Sequence, residues 1–353
     1  MPLMIDGGRI PAGWAEKKGW RAGLSADSSG ARTECIKIAL INNMPDAALE
    51  DTELQFFELL DSAAEESPVL LKLFSLPKVP RSDRGQEHVN SFYFGIEDLL
   101  RSRFDGVIIT GTEPRQPDLR QEPYWSQLGD VFDWAEENTA STVLSCLAAH
   151  AGVLHNDGIG RHALDDKQFG VFDDRRVSDH VLTSGTSEPM RFPHSRWNEV
   201  KEDELTSCGY SVLTKSAEAG VNLFVKKKRK SLFVHFQGHP EYGAGTLWKE
   251  YRRDIKRFLR RERPTYPKMP HGYFGATAKK VLDEFRETAV SRPREELLAE
   301  FPEVAMGDGL ESAWRSAAAR VYGNWLQYVV ARRASATVYA ASAPSRISAT
   351  WSR

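Results

Sequence analysis

The chain alternates short apolar runs with longer segments in which apolar residues recur at helical spacing. CIKIALI has the length of a strand, and TELQFFELLDSAAEE after it has the period of an amphipathic helix. The same unit recurs in VLLKLFSL with HVNSFYFGIEDLLRSR, and in DGVIITGT with YWSQLGDVFDWAEEN, before the strand STVLSC. Continuously apolar strands that alternate with helices are typical of a mostly parallel sheet with helices on both faces. We therefore predict an α/β fold of this kind.

The second half of the chain has a different pattern. SVLTKS, GVNLFVKK and KSLFVHFQ are closely spaced strand candidates, which predicts an antiparallel extension of the sheet. WKEYRRDIKRFLRRE predicts a charged surface helix, and a proline-rich break separates it from two further helical segments. We divide the chain into an N-terminal arm (1–34), the α/β domain (35–262), a C-terminal helical extension (263–333) and a disordered tail (334–353).

Charge and composition narrow the classes of function. The chain of 353 residues has a formal net charge of −2, which gives no overall attraction to nucleic acid or to a membrane surface. The basic run at 226–230 lies between two strand candidates and is typical of a solvated hairpin turn. No apolar run approaches the roughly 20 residues that cross a bilayer, and the N-terminus lacks the pattern of a signal peptide. We expect a cytoplasmic protein with no nucleic-acid and no membrane partner.

The chain has three cysteines, Cys35, Cys146 and Cys208. Their wide spacing forms neither a disulfide framework nor a zinc-binding pattern, and we expect no metal. Cys146 is the strongest candidate for chemistry because it ends an apolar strand and precedes small residues at the start of a predicted helix. A nucleophile elbow needs this arrangement, since the helix N-terminus favours a thiolate and offers backbone N–H groups to an oxyanion. The alternative is a buried cysteine that packs as a small hydrophobic residue.

A second candidate lies in FVHFQGHPEYG, where a strand leads to His239 and Glu241 follows two residues later. A histidine and a carboxylate at this spacing provide the base of a catalytic triad and the group that orients it. The alternative is a polar turn after an edge strand. His235 is a competing base, which strand alternation puts on the same face as His239, but we favour a packing role for it. Cys146 and His239 would both lie at carboxyl ends of strands, where open α/β sheets bind ligands.

A cysteine elbow followed by a strand that ends in His-Pro-Glu resembles the class I glutamine amidotransferases. Further motifs run from about residue 36 to 331 and are similar to those of the homoserine O-succinyltransferase and O-acetyltransferase family: NNMPDAALEDTELQFFELL, EH…FY, FDGVIITG, FGVF, PHSR, GHPEY, TLxxEYxRD and WRSAAARVYGNWLQYVV. This resemblance implies a class I glutamine amidotransferase-like (flavodoxin-like) fold with a C-terminal helical extension. It also implies transfer of an acyl group from acyl-CoA to the hydroxyl of L-homoserine, in methionine biosynthesis.

The resemblance also implies roles for particular residues. Cys146 would be the nucleophile that carries the acyl group, His239 the general base and Glu241 its orienting partner. The oxyanion would bind near the backbone of Leu147 and Thr112. The amino acid would bind near four side chains, whose alternative role is surface ion pairing: Lys167, Ser195, Glu250 and Arg253. The implied partners are L-homoserine, succinyl-CoA or acetyl-CoA, and a second copy of the chain in a homodimer, with no cofactor besides the acyl-CoA co-substrate.

The chain departs from the family around the acyl pocket. The family's elbow usually reads Cys-Trp-Gly-Ala-Gln, whereas here Cys146 is followed by Leu-Ala-Ala-His. The family's lysine shortly after Met-Pro is absent between Pro45 and Gln55. Arg115 stands where relatives have glycine or glutamate, and we predict that its guanidinium binds the terminal carboxylate of a succinyl group. The alternative for Arg115 is a side chain that points to solvent.

Two other functions fit the same fold. One is hydrolysis of glutamine amide with a partner synthetase that consumes the ammonia, which the PHSR motif disfavours. The other is a binding or regulatory protein without catalysis, which the retention of Cys146, His239 and Glu241 disfavours. Homoserine O-succinyl transfer is the function that we favour from the sequence.

Overall fold

The computed structural model describes residues 3–6, 35–64, 67–303 and 310–342. These ranges contain ten strands: β1 (Leu3–Ile5), β2 (Ile36–Ile41), β3 (Val69–Phe74), β4 (Gly106–Ile109), β5 (Ser141–Ser145), β6 (His162–Arg176), β7 (Met190–Glu199), β8 (Ser211–Ser216), β9 (Gly220–Lys228) and β10 (Ser231–Phe236). They contain nine α-helices: α1 (Asp46–Ala63), α2 (Asp83–Phe92), α3 (Ile96–Arg101), α4 (Trp125–Asn138), α5 (Leu147–Asp157), α6 (Glu202–Ser207), α7 (Thr246–Leu259), α8 (Ala276–Ser291) and α9 (Leu310–Ser342).

The strands form one sheet in the order β1-β3-β2-β4-β5-β10-β9-β8-β6-β7. From β1 to β10 in this order all neighbours are parallel, and from β10 to β7 all neighbours are antiparallel. The predicted mostly parallel sheet and its antiparallel extension are confirmed. Strand β3 lies on one side of β2 and β4 on the other, which creates a switch point where ligands bind in open α/β sheets.

The central strands separate two apolar layers. Ile38 and Leu40 of β2 pack into a layer with helices α1 and α9, which includes Trp325. Ala39 and Ile41 point to the opposite face, into a layer with helices α4 and α5. Every residue of β4 and β5 is buried, because helices cover both faces of the sheet. The continuous apolar runs seen in the sequence are therefore a consequence of burial on both sides.

The C-terminal extension braces the segment between β10 and α7. Leu282 of α8 packs in an apolar cluster with Tyr251 and Leu259 of α7. Trp314 of α9 is fully buried in the same cluster, and its indole N–H donates to the backbone oxygen of Tyr242 at 2.8 Å. The extension thus holds the chain immediately after His239 and Glu241 from outside.

Two parts of the predicted domain division need correction. The arm predicted for residues 1–34 contributes β1, because Leu3 and Ile5 bury their side chains while β1 pairs with the edge of β3. The tail predicted for residues 334–353 begins inside α9, which continues to Ser342. The rest of the arm and tail, residues 1–2, 7–34 and 343–353, lies outside the described residues. The boundary between the α/β domain and the helical extension stays a prediction.

The basic run at 226–230 forms the end of β9 and the turn to β10, as the hairpin prediction requires. Four of its five charges are paired with carboxylates, whereas Lys227 donates to the Lys230 backbone oxygen. Lys226 bonds Asp157 at 2.6 Å, and Lys228 lies 3.2 Å from Glu136. The run therefore closes α4 and α5 onto the hairpin.

Among the helices of the described ranges, none combines the length and the apolar character needed to span a membrane. The same ranges contain no group of three or more His, Cys, Asp or Glu side chains arranged to hold a metal ion.

Candidate active site

Cys146 occupies a strained turn between β5 and α5. Its φ of 50° and ψ of −110° lie in a region that residues with a Cβ rarely adopt. The turn is fixed from both sides, since the Cys146 N–H donates to the Phe236 oxygen at 2.8 Å and its own oxygen accepts from Ala149 at 2.9 Å. Ala148 and Ala149 are buried directly behind it. The strained strand-to-helix turn that a nucleophile elbow needs is present at Cys146, and its role as nucleophile stays a prediction.

The start of α5 lies against the loop that follows β4. A Cβ on Gly111 would come within 2.5 Å of the Leu147 Cβ and 3.0 Å of the Leu147 nitrogen, so only glycine allows this approach. Leu147 is the first residue of α5, where backbone N–H groups have no partner within the helix. Thr112 and Leu147 line the same pocket. Their role as oxyanion donors stays a prediction that this geometry allows.

His239 and Glu241 form a buried hydrogen-bonded pair. His239 Nδ1 lies 2.8 Å from Glu241 Oε1, and Ser145 Oγ donates to the same oxygen at 3.2 Å. Because Nδ1 is engaged by a carboxylate, Nε2 is the ring nitrogen that remains for Cys146. Cys146 also interacts electrostatically with the His239 ring. The structure thus brings the three predicted catalytic residues together.

The charges around His239 favour its protonated form. Burial by itself disfavours an imidazolium, but the negative charges of Cys146 and Glu241 outweigh it and raise the pKa of His239 well above its ordinary value. A protonated ring stabilises negative charge on a neighbouring sulfur. The pair is suited to hold a nucleophilic sulfur and a transferable proton at the same time.

A second cluster surrounds Glu250 on α7. Its carboxylate accepts from Ser195 Oγ at 2.5 Å, from Lys167 Nζ at 3.0 Å and from Tyr242 Oη at 2.7 Å. Arg253 lies 3.6 Å away. Although burial opposes the charge, Lys167 and these hydroxyls lower the pKa of Glu250 to about 2. The four residues expected to bind the amino acid are therefore brought together around one anion.

Tyr242 connects the two clusters, and the sequence alone gave it no role. Its ring stacks on His239 with centroids 4.1 Å apart, while its hydroxyl bonds Glu250. The signal was present in the motif GHPEY, in which Tyr242 follows the catalytic pair directly. His239 and the cluster around Glu250 are therefore joined through one aromatic side chain.

His235 lies away from His239 and Glu241. It is fully buried under α5, and its ring stacks on Phe224 with centroids 4.7 Å apart. Burial lowers its pKa to about 3, so the ring is neutral. Strand alternation was expected to put it on the same face as His239, but β10 ends at Phe236 and the chain turns through Gly238 before His239.

The altered elbow is accommodated by a buried polar pair. His150, where the family usually has glutamine, bonds Gln237 at 2.9 Å, and burial lowers its pKa to about 3. Gln237 in turn bonds the backbone of Val200 and Val221. The substitution at His150 therefore ties α5 to β9 and to the segment just before His239.

Two arginines flank the loop after β4. Arg115 has an exposed side chain, and its backbone N–H donates to Glu122 Oε1 at 2.6 Å. Arg161 is half-buried, donates to the Pro117 oxygen at 3.1 Å and interacts electrostatically with Cys146. The sequence pattern gave no reason to single out Arg161, because it belongs to no recognised motif.

The strain at Cys146 leads to a stability prediction. Glycine tolerates positive φ, so Cys146→Gly should be more stable than Cys146→Ala by about 1 kcal/mol, measured by urea unfolding. Cys208, with φ of −91°, is the matched control. There the order should reverse, because glycine has the greater entropy in the unfolded chain. The same order at both positions would contradict a strained elbow.

Comparison with known proteins matches this chain to a family. The family model for homoserine O-succinyltransferase matches residues 23–336. A homoserine O-succinyltransferase of Rhodopseudomonas palustris is 45% identical over 86% of this chain and 90% of its own, and that of Bradyrhizobium japonicum is 44% identical over 83% and 90%. Among solved structures, a glutamine amidotransferase of Thermotoga maritima is similar with a TM-score of 0.46 at 13% identity, over 83% of this chain and 98% of its own. The chain belongs to the homoserine O-succinyltransferase family and is an acyltransferase.

Proposed function

We propose that the protein transfers a succinyl group from succinyl-CoA to the hydroxyl of L-homoserine through a thioester on Cys146. The observation that carries this proposal is the strained Cys146 elbow beside the buried His239–Glu241 pair. The family supports the choice of homoserine and of a succinyl donor. The geometry supports a covalent route, because a thiol activated by an imidazole is a nucleophile rather than a binding group.

The first half of the reaction acylates the enzyme. The Cys146 thiolate attacks the thioester carbonyl of succinyl-CoA, and the backbone N–H groups of Leu147 and Thr112 stabilise the oxyanion. As the tetrahedral intermediate collapses, the bond to the CoA sulfur breaks and protonated His239 gives its Nε2 proton to that sulfur. CoA leaves as the thiol, and a succinyl thioester on Cys146 and a neutral His239 remain. Removal of one oxyanion donor costs roughly 10²–10³ in kcat in well-studied cases.

The second half transfers the group to the acceptor. The homoserine hydroxyl attacks the thioester while neutral His239 takes its proton, and Glu241 stabilises the imidazolium that forms. Collapse of the intermediate breaks the carbon–sulfur bond and restores the Cys146 thiolate. O-succinylhomoserine leaves, and the enzyme returns to its starting charge state. General base catalysis of this kind contributes roughly 10²–10⁴-fold.

The cluster around Glu250 recognises the amino-acid part of homoserine in this proposal. Arg253 is half-exposed and has a planar guanidinium that matches an α-carboxylate. Glu250 is anionic and attracts the α-ammonium. Because Tyr242 touches both Glu250 and His239, homoserine bound here would present its hydroxyl toward the base.

The setting of the reaction follows from the resemblance. We propose that the protein acts in methionine biosynthesis as a cytoplasmic homodimer, without metal, nucleic-acid or membrane partner. The acyl-CoA is a co-substrate, and the chemistry above uses no further cofactor.

Variants of the catalytic residues separate their roles. Cys146→Ala and His239→Ala should abolish CoA release from succinyl-CoA and homoserine, because they remove the nucleophile and the proton carrier. Glu241→Gln should leave a measurable rate, reduced by about 10²-fold or more, since Glu241 orients and stabilises but does not react. His235→Leu is the control and should keep kcat within about threefold. If His235→Leu is as damaging as His239→Ala, the base has been misassigned.

The acyl donor is tested at the two arginines beside the loop. If Arg115 binds the succinyl carboxylate, Arg115→Ala should lower kcat/KM for succinyl-CoA at least tenfold relative to acetyl-CoA, about 1.4 kcal/mol. Arg161→Ala is the comparison, because it removes the half-buried guanidinium nearer Cys146. If Arg161→Ala, and not Arg115→Ala, selectively lowers kcat/KM for succinyl-CoA, Arg115 does not bind the succinyl carboxylate. A parent enzyme that prefers acetyl-CoA would contradict the succinyl proposal.

A further inference from the structure

A chain of buried hydrogen bonds runs from Asp174 on β6 to the peptide bond just before His239. It lies in the antiparallel part of the sheet and uses residues that the proposed mechanism does not. Asp174 and Asn222 are both fully buried, and their side chains meet at 2.6 Å. Two polar side chains that meet in an apolar sheet require a reason, because apolar residues of similar volume would fill the space without a desolvation cost.

The first link fixes the orientation of the Asn222 amide. Asp174 Oδ2 accepts from Asn222 Nδ2 and, at 2.9 Å, from Thr214 Oγ1, whereas its Oδ1 has no hydrogen-bond partner among the described residues. An amide group is planar, so a carboxylate that holds its nitrogen also determines where its oxygen points. Asp174 therefore aims Asn222 Oδ1 away from β6 and toward β10.

The second link fixes the turn after β10. Asn222 Oδ1 accepts from the Gly238 N–H at 2.8 Å, and the Asn222 backbone oxygen accepts from the Gln237 N–H at 2.9 Å. Gly238 has no room to move toward these groups. A Cβ there would lie 2.9 Å from both Asn222 Oδ1 and the Pro193 oxygen. One asparagine thus holds two consecutive peptide groups of the turn.

The third link is the base itself. The His239 N–H donates to the Pro193 oxygen at 2.8 Å, so the peptide groups of three consecutive residues are anchored. The ring is then oriented by Glu241. A displacement of about 1 Å of a catalytic group can cost about 10²-fold in rate, which makes the position of this backbone important for proton transfer.

Asp174 is held by hydrogen bonds from Asn222 and Thr214 rather than by an ion pair. Burial raises the pKa of Asp174 to about 7, against the hydrogen bonds of Asn222 and Thr214 and the positive charge of Arg196, and the negative charge of Asp173 acts in the same direction as burial. The Arg196 guanidinium itself donates to backbone oxygens and to His194, and no carboxylate of the described residues is bound to it.

We propose that Asp174 and Asn222 are positioning residues, which set the place of His239 through the Gly238 peptide. This inference rests on the proposed function, in which His239 transfers the proton in both halves of the reaction. It assigns no direct contact with substrate to either residue.

The test removes and then restores the pair. Asn222→Leu keeps the volume but removes the acceptor for Gly238, and kcat should fall at least tenfold while KM for homoserine stays within about threefold. Asn222→Asp keeps that acceptor but puts a second carboxylate against Asp174, and kcat should fall similarly. The double variant Asp174→Asn with Asn222→Asp reverses donor and acceptor, and it should recover at least fivefold over Asn222→Asp alone. All rates are expressed per reactive Cys146 thiol, titrated in each preparation, so that unfolded protein does not count.

Asp173→Asn is the matched control, because Asp173 is the neighbouring carboxylate on β6 and bonds only the exposed Arg191. It should leave kcat unchanged. The inference is overturned if Asn222→Leu keeps the parent kcat per thiol, if its loss falls on KM, or if the double variant gives no recovery. Should Asn222→Leu not fold, Asn222→Asp and the double variant decide alone. A parent protein that releases no CoA with homoserine would contradict the proposed function instead, whatever the variants do.

Discussion

The positive φ of Cys146 is the constraint on which the rest of the site depends. A side chain in this backbone conformation costs of order 1–3 kcal/mol, and it persists only when its surroundings determine it. Here the surroundings are the buried strand β5, the hydrogen bond from Cys146 to β10, and the alanines at the start of α5. The same turn puts a sulfur at a helix N-terminus and against the loop at Gly111. Strain, helix and loop together place a half-buried thiol at the carboxyl end of β5.

A series of hydrogen bonds and ring contacts extends from the residues next to the Cys146 sulfur to the cluster around Glu250. His239 bonds Glu241 and stacks on Tyr242. The Tyr242 hydroxyl bonds Glu250, and Glu250 also accepts hydrogen bonds from Lys167 and Ser195. Among these described residues, each buried charged group contacts either a group of opposite charge or a hydroxyl, so each buried charge has a partner. The helical extension supports it from outside through Trp314, which bonds the Tyr242 backbone. The extension therefore has a structural link to the chemistry, although it contributes no reacting group.

Much of the fold could be predicted because the parallel strands are buried on both faces and carry continuous apolar runs. The elbow at Cys146 and the pair His239–Glu241 were also visible, since each depends on neighbours in sequence. The hairpin of β6 and β7 was not predicted, because HALDDKQFGVFDDRR is rich in charged residues and one of them, Asp174, is fully buried. Asp174, Asn222 and Gly238 come together only through the order of β6, β8, β9 and β10 in the sheet. Contacts between strands that are distant in sequence leave no local pattern in the sequence. The same holds for β1, which is a strand through its pairing with β3.

The central claim is that Cys146 carries the acyl group, and the most direct test is to trap the intermediate. The protein is mixed with succinyl-CoA in the absence of homoserine, quenched in acid and measured by intact and peptide mass spectrometry. We expect one succinyl group on the peptide that contains Cys146, lost within one turnover when homoserine is added, and absent from Cys146→Ala. A parent enzyme that turns over both substrates without any adduct on Cys146, or an adduct that homoserine does not discharge, would contradict the account.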